Sequence, residues 1–340
     1  MSTRQLTIAI DAMGGENSPF KTLKGSEIFS TNHKNVKLLF FGNKDNIKEV
    51  ISSNKLKISN YDIVDCTENV LDEDKPNTIL RSRKDSSIYR GLTYVRDNPN
   101  SGFVSAGNTA ALMILSRLIL GMIKGIDRPA ICSDIPNKKS FSLMLDLGAN
   151  VQVDPSNLFQ FALMGYSYFS IIDTKRVPKI GIINIGTENN KGLEFLQEAH
   201  DLISNSFLKN NFVGFVEPNK ITAGECDILL SDGFTGNIIL KTAEGLSEFI
   251  TSNLKDIFKK SIKNNLAFKL LENDLKIFKD QINPEIYNGA TLIGLNGISM
   301  KSHGSASPFA FSCAIKKCFD FIDNDLNLKI INNFRDLWQI

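Results

Sequence analysis

Five times along the chain, a short apolar run breaks into a polar loop that contains glycine. The five segments are residues 6–17, 102–111, 142–150, 179–192 and 226–237. Continuous apolar runs are typical of strands buried on both faces, as in parallel sheets covered by helices. Ligands bind such sheets at the carboxyl ends of the strands, so we expect the five loops to share one edge. Because glycine lets backbone N–H groups approach an anion closely, the pattern predicts a phosphate-handling site, although each loop alone is also typical of an ordinary turn.

The order of the predicted strands and helices favours one layered α/β domain over residues 1–340. Its 340 residues are 42% hydrophobic, which is enough for a full core in one large domain or two smaller ones. Strand-like segments alternate with helix-length stretches, and we find neither an internal repeat nor a low-complexity linker. The expected strands lie near residues 6–10, 37–41, 102–105, 141–145, 179–183 and 227–230.

Charge and cysteine content exclude several classes of protein. The formal net charge of +2 gives no indication of a nucleic-acid partner. The five cysteines lack CxxC spacing, so we expect neither a disulfide framework nor a zinc site, and a reducing cytoplasm fits them. The first residues lack the basic and apolar regions of a secretory signal, so we do not expect export.

Residues 243–283 differ in character from the rest of the chain. Apolar residues from Leu246 to Phe278 recur at helical spacing, which predicts a protruding pair of amphipathic helices with a break near Asn264–Asn265. Five lysines crowd this break, at positions 255, 259, 260, 263 and 269. The pair has two interpretations. It packs on the body or on a second subunit with its lysines solvated, or it contacts a membrane surface or an acidic protein.

Two of the polar loops carry groups suited to an anion and a polarised carbonyl. In residues 184–192, Asn184, Glu188 and Lys191 follow a predicted strand, and a lysine beside glycine at a helix start can neutralise a phosphate dianion. A surface lysine in a turn is the alternative. In residues 232–237, backbone N–H groups and the Asn237 amide suit an oxyanion or phosphate cradle. Helix capping by Asp232 or Thr235 is the competing explanation.

Two further segments complete the candidate site. Residues 105–109 have the same order of strand, glycine and helix, which suits phosphate oxygens or a simple helix cap. Near the C-terminal end, residues 287–297 lead into Lys301-Ser-His303-Gly. A histidine in such a loop can donate a proton to a leaving group or hold a phosphate oxygen, and a structural histidine is the alternative.

Several familiar chemistries lack their sequence evidence. The chain has no GxGxxG or GxxxxGK(S/T) fingerprint, no GxSxG nucleophile elbow, no recognisable Cys–His nucleophile and no HExxH zinc motif. The remaining hypothesis is direct transfer, in which a bound phosphate attacks an acyl carbonyl while fixed donors stabilise the oxyanion.

Taken together, the motifs resemble those of the PlsX family of bacterial phosphate acyltransferases. In order along the chain, they are IAIDAMGG (8–15), SAGNTA (105–110), DLGAN (146–150), NIGTENNKG (184–192), DGFTGN (232–237), YNGATLIGLNG (287–297) and KSHG (301–304). Two positions depart from the family pattern. Glu16 stands where Asp is usual and lengthens the acidic arm, and Ala110 replaces a common Gly at a helix start, where a methyl group is tolerated unless a ligand touches it.

The resemblance implies an activity, a fold and partners. The activity is conversion of fatty acyl-[acyl carrier protein] and inorganic phosphate to acyl phosphate and free carrier protein, which feeds acylation of glycerol 3-phosphate. The fold is a three-layer α/β/α sandwich with a mostly parallel sheet, as in phosphotransacetylases and isocitrate dehydrogenase-like enzymes. The resemblance also implies a homodimeric, cytoplasmic protein that visits the membrane, where the downstream glycerol-3-phosphate acyltransferase is an expected partner.

We therefore hypothesise a site that needs neither cofactor nor metal. Lys191, Asn237 and His303 are the candidate catalytic residues. The candidate substrate-binding residues are Asp11, Gly14, Gly15, Ser105, Gly107, Asn108, Asn150, Asn184, Glu188, Asp232, Gly233, Thr235, Gly236 and Lys301. Three alternatives stay open at this point: a phosphotransacetylase acting on short acyl-CoA, a dehydrogenase of the same architecture, and a non-catalytic membrane-associated scaffold.

Overall fold

The computed structural model describes residues 4–68, 70, 79, 82–283 and 285–337. In these residues the strands are β1 Thr7–Asp11, β2 Lys37–Gly42, β3 Tyr61–Asp65, β4 Ser101–Ser105, β5 Ala130–Pro136, β6 Phe141–Leu145, β7 Ile180–Ile183, β8 Phe212–Val216, β9 Ile228–Leu230, β10 Ala290–Ile293 and β11 Ile298–Lys301. The α-helices are α1 Phe20–Asn32, α2 Lys44–Ser53, α3 Ser87–Asp97, α4 Thr109–Leu120, α5 Pro155–Ile172, α6 Glu194–Ser204, α7 Gly233–Lys259, α8 Ile262–Leu270, α9 Glu272–Ile282, α10 Pro308–Asp323 and α11 Leu326–Leu337.

The described strands form one sheet in the order β3-β2-β1-β4-β11-β10-β5-β6-β9-β7-β8. Most neighbours pair in parallel; β10 runs antiparallel to both β11 and β5, and β5 runs antiparallel to β6. Alternate residues of the central strands enter the cores on opposite faces: Ile8 and Ile10 contribute to one core and Ala9 to the other. Helices α1, α2, α5, α6, α10 and α11 supply the first core and α3, α4 and α7 the second. The predicted α/β/α sandwich with a mostly parallel sheet is confirmed.

The expectation that all five polar loops share one edge is wrong. Because β5 is parallel to β11 and β4, and antiparallel to β6, the strands β6, β9 and β7 run opposite to β1 and β4. The loops after β1, β4 and β11 therefore lie at one edge of the sheet, which we call the first edge. The loops after β6, β7 and β9 lie at the opposite, second edge. The reversal comes from the hairpin between β5 and β6, which an apolar run by itself does not reveal.

The predicted helical excursion over residues 243–283 begins inside α7 and continues through α8 and α9. The expected break at Asn264–Asn265 is wrong, because both residues lie inside α8. The chain breaks instead at Ser261, whose hydroxyl accepts a hydrogen bond from the backbone N–H of Asn264 at 3.1 Å, and again at Leu271. Helix α8 buries none of its residues, and Ile262 is 91% exposed. Across the described helices, none is both long and apolar enough to cross a membrane.

Candidate active site

A cavity of about 1360 Å³ joins the first-edge loops to helix α7. Its polar wall includes Gly14 and Gly15 after β1, Gly107 and Asn108 after β4, and His303 after β11. Its apolar wall includes Ile131 and Ile135 of β5, with Leu147 and Leu240. Helix α7 begins at the second edge and contributes residues from Asn237 to Thr251 to the same cavity. The helix therefore brings a second-edge residue into contact with the first-edge space.

Asp11 and Ser105 hold the loops after β1 and β4 together. The Ser105 hydroxyl donates to Oδ2 of Asp11 at 2.6 Å and accepts from the backbone N–H of Gly107 at 3.0 Å. Both side chains are buried, and burial raises the pKa of Asp11 despite the hydrogen bonds from Ser105, Ser87 and backbone N–H groups. Because the Ser105 hydroxyl both donates and accepts inside the protein, it fixes the relative positions of the two loops.

The glycines of the first edge allow backbone segments to touch. A Cβ on Gly14 would lie 2.6 Å from the backbone nitrogen of Gly107, so no larger residue fits there. Gly15 has a positive φ of 81°, and a Cβ on it would lie 2.6 Å from Nζ of Lys21. Asn108 caps α4, with its Oδ1 accepting from the backbone N–H of Ala111 at 2.8 Å. The capping alternative therefore describes one role of Asn108, which also lines the cavity.

Lys301 and His303 complete the polar wall after β11. Nζ of Lys301 donates to the carbonyls of Ser302 at 2.5 Å and Ala106 at 3.4 Å, which links the loops after β11 and β4. Burial is the main cause that lowers the pKa of His303, and the positive charge of Lys241 is the next. Ammonium groups, an imidazole and glycine N–H groups in one cavity suit an anion.

At the second edge, the segment that includes Asp232, Gly233, Thr235 and Gly236 is mainly structural. Asp232 caps α7: its Oδ1 accepts from the backbone N–H of Thr235 at 2.8 Å and its Oδ2 from the Thr235 hydroxyl at 2.7 Å. Gly233 donates its N–H to the carbonyl of Asn150 at 2.7 Å. Helix capping is the alternative to an anion cradle that the sequence offered for this segment. Of the predicted residues in this segment, Asn237 is the one that lines the cavity.

Asn150 and Asn184 also stabilise their own loops. Asn150 donates from Nδ2 to the carbonyl of Pro129 at 2.8 Å and to Oδ2 of Asp146 at 2.9 Å. Asn184 is buried and donates from Nδ2 to the carbonyl of Lys191 at 3.0 Å, which shapes the loop after β7. Glu188 and Lys191 are exposed on that loop and do not belong to the cavity wall formed by the described residues. The sequence predicted Lys191 as part of the site, but the structure does not place its side chain in the cavity wall.

Sequence reasoning missed several residues at the cavity. Lys241 and Glu244 lie four and seven positions after Asn237 on α7, and their side chains pair at 2.7 Å. Helical spacing places them on the same face as Asn237, so this signal was available. Asn288 contacts the loop after β11 and lies in the motif of residues 287–297, but sequence reasoning did not single it out. Lys21 contacts the same loop from α1, and no local pattern points to it. Among the described residues we find no group of His, Cys, Asp or Glu side chains that could hold a metal ion.

The comparisons with known proteins identify relatives over nearly the whole chain. A family model described as "Fatty acid synthesis protein" matches residues 6–329. A protein of Clostridium tetani named phosphate acyltransferase is 39% identical, with 97% of each chain covered. A protein of the same name from Wolbachia pipientis wMel is 40% identical, with 96% of each chain covered.

Solved structures of low sequence identity share the fold. A phosphotransacetylase from Streptococcus pyogenes aligns with a TM-score of 0.66 at 15% identity, covering 94% of this chain and 95% of that one. The EutD phosphotransacetylase from Staphylococcus aureus aligns with a TM-score of 0.58 at 14% identity, covering 97% of this chain and 94% of that one. The predicted relation to the phosphotransacetylase fold is confirmed.

Proposed function

The chain belongs to the phosphate acyltransferase family of fatty acid synthesis proteins, and on that premise we propose that it transfers a fatty acyl group from acyl carrier protein to inorganic phosphate. A phosphate oxygen attacks the thioester carbonyl, the C–S bond breaks, and the carrier thiolate leaves and takes up the proton of the phosphate. The products are acyl phosphate and free carrier protein. The observation that carries the proposal is a cavity in which glycine loops and cationic side chains face an apolar wall.

The two walls suit the two substrates. Phosphate carries most of two negative charges at neutral pH, and Lys301, Lys241 and glycine N–H groups offer it positive charge and donors. The buried side chains Ile131, Ile135 and Leu147 offer an acyl chain a surface that excludes water. Because phosphate is already a nucleophile and a thiolate leaves readily, the protein mainly positions and neutralises the reactants.

Asn237, Lys191 and His303 are the proposed catalytic residues. Asn237 lines the cavity and offers an amide N–H to the developing oxyanion. Lys191 follows β7, which pairs with β9, the strand that precedes Asn237; its exposed ammonium lies outside the cavity wall and would have to reach an anion bound beside Asn237. His303 and Lys301 line the same cavity.

Exposed surfaces support the proposed dimer and the proposed contacts with carrier protein or membrane. Helix α7 exposes the apolar side chains Phe234, Ile238, Leu246 and Phe249, which suit burial against a second copy in a homodimer. The lysine-rich region of α7 and α8 suits acidic carrier protein or an anionic membrane surface. We propose a cytoplasmic protein that associates peripherally with the membrane, where a glycerol-3-phosphate acyltransferase consumes its product.

The test is an incubation with palmitoyl-[acyl carrier protein], with and without phosphate. Free carrier thiol and hydroxylamine-reactive acyl phosphate are followed together. We expect both products to appear only when phosphate is present. An intact folded protein that forms neither product contradicts the proposal, and acyl phosphate formed from acetyl-CoA alone would instead favour a phosphotransacetylase of short substrates.

A further inference from the structure

Asn288 fixes the backbone of the loop that carries His303. Its Oδ1 accepts a hydrogen bond from the backbone N–H of His303 at 3.1 Å. Its Nδ2 donates to the hydroxyl of Ser302 at 2.8 Å and to the carbonyl of Ala310 at 2.7 Å. Both polar atoms of the amide are therefore engaged. Because Ser302 begins the loop and Ala310 lies in the first turn of α10, one side chain holds both ends of the segment.

Ser305 fixes the orientation of the imidazole. The backbone N–H of Ser305 donates to Nδ1 of His303 at 3.3 Å, and the Ser305 hydroxyl lies 2.9 Å from the same nitrogen. Because a backbone N–H only donates, Nδ1 presents its lone pair, and the proton of the neutral ring is on Nε2. In the part of the chain that the structure describes, Nε2 of His303 has no hydrogen-bond partner.

The surroundings keep this ring neutral. Although His303 is partly exposed, desolvation at the cavity wall lowers its pKa below the usual 6.5, and the positive charges of Lys241, Lys301 and Lys21 lower it further, against the opposing carboxylate of Glu244. At neutral pH the ring therefore carries a single proton. His303 also lines the cavity that would hold the substrates.

We propose that Asn288 and Ser305 are positioning residues that hold His303 as an Nε2–H hydrogen-bond donor to a substrate oxygen. The inference rests on the proposed function for the identity of that oxygen, which belongs to phosphate or to the thioester carbonyl. A ring in this state is a donor and not a general base, since its one lone pair is already engaged by Ser305. The attacking phosphate dianion needs no base.

Three substitutions of His303 test the donor role. The amide nitrogen of glutamine reaches roughly the place of Nε2, and that of asparagine the place of Nδ1. We expect His303→Gln to keep the rate within about tenfold, and His303→Asn and His303→Ala to lose about a hundredfold, the scale of one oxyanion donor. If the variants mainly raise the KM for phosphate, the acceptor oxygen belongs to phosphate. If they mainly lower kcat, it belongs to the thioester carbonyl. Equal losses for Gln and Asn, or no loss for any variant, would overturn the donor role.

The positioning role is tested without any activity measurement. The chain has 3 histidines, so side-chain ¹⁵N spectra of the full-length protein resolve His303 once His303→Gln identifies its signal. We expect the Nε2–H form in the native protein. Asn288→Ala should give a mixture of tautomers and a pKa closer to 6.5, while Asn324→Ala, which removes an exposed amide bonded to the Asp320 carbonyl, should change neither.

A native protein with the proton on Nδ1, or an Asn288→Ala variant with an unchanged tautomer and pKa, would overturn the positioning role. Failure of the proposed function is a separate result, since it would be seen as the absence of acyl phosphate from reactions of the native protein. In that case the spectra would still test the positioning roles of Asn288 and Ser305.

Discussion

The ammonium of Lys21 donates a hydrogen bond to the carbonyl of Gly304 at 2.6 Å and so joins α1 to the loop that carries His303. The same carbonyl accepts a second bond from the backbone N–H of Glu16 at 2.9 Å. Lys21 is only 2% exposed, and burial lowers its pKa against the opposing charges of Glu16 and Asp11. One carbonyl therefore connects the loops after β1 and β11 at the polar wall of the cavity.

Replacing Lys21 with Met should impair the reaction. Gly304 would lose one of its two donors and the cavity would lose a nearby positive charge, so we expect kcat/KM to fall about tenfold, as expected for a small displacement of a reacting group. Steady-state kinetics at several phosphate concentrations measure the effect. Lys24→Met, three positions along the same helix at a more exposed ion pair with Glu27, is the matched control and should retain native kinetics.

Replacing Lys191 with Ala should lower the rate about a hundredfold if its ammonium neutralises the anion. The exposed Lys209→Ala variant controls for the loss of one surface charge and should be unaffected. Acyl phosphate formation is measured after thermal unfolding has verified that both variants fold. Full activity of Lys191→Ala would remove Lys191 from the catalytic site.

Two glycines of α7 should respond oppositely to substitution by alanine. A Cβ on Gly236 would lie 2.8 Å from the Ser231 hydroxyl and press on the Asp146 carbonyl, so Gly236→Ala should lower the free energy of unfolding by about 1–3 kcal/mol. Gly245 has nothing within 4 Å of such a Cβ, and Gly245→Ala should raise it by about 0.5–1 kcal/mol because alanine favours the helix. Urea unfolding measures the free energy of unfolding of both variants and of the native protein. Equal effects would show that contact with Asp146 is unimportant.

Asp11 should make stability depend on pH in a defined direction. Burial raises its pKa in the folded protein above the ordinary 3.8, so the folded state binds the proton more tightly than the unfolded state. The contribution of Asp11 to stability is therefore present below pH 3.8 and is lost as the pH rises through the folded pKa.

The measurement for Asp11 is the free energy of unfolding against pH for the native protein and Asp11→Asn. The native protein should lose stability relative to the variant as the pH rises above about 4. For Asp97→Asn the difference in stability should have the opposite sign: the native protein should gain stability relative to the variant as the pH rises, because Arg96 lowers the pKa of Asp97. Solvent screens this exposed pair, which reduces the effect. A constant difference between native protein and Asp11→Asn across this range would contradict the expectation.

Reversing Lys259, Lys260 and Lys263 to Glu should weaken binding to carrier protein or to anionic vesicles at low salt. These lysines are exposed around the break between α7 and α8, and attraction between exposed charges falls with ionic strength. Pull-down with carrier protein and vesicle sedimentation are the two measurements. The same reversal at Lys48, Lys55 and Lys138, which are exposed elsewhere, controls for net charge. Unchanged binding in both assays would refute the role of this segment.

Local patterns in the sequence predicted much of the fold. The mainly apolar runs at residues 6–10 and 37–41 form β1 and β2, since a run with so few polar residues has no solvated face to offer and lies inside the sheet. The same patterns did not locate the break after α7, because Ser261 ends one helix and starts another through a single side-chain hydrogen bond. They also did not identify β5, whose Ser133 and Asp134 interrupt its apolar character.

The sequence by itself therefore determined the layered α/β fold, the glycine loops and the family, because these depend on short stretches of residues. The tertiary structure alone decided which loops meet. The β5–β6 hairpin turns three of the five loops to the second edge, and α7 returns Asn237 to the cavity that His303 lines. Lys21 and Gly304 are likewise far apart in the sequence, and only the fold brings the Lys21 ammonium to the Gly304 carbonyl. An apolar run looks the same in either strand direction, so only long-range pairing sets the direction and, with it, the composition of the site.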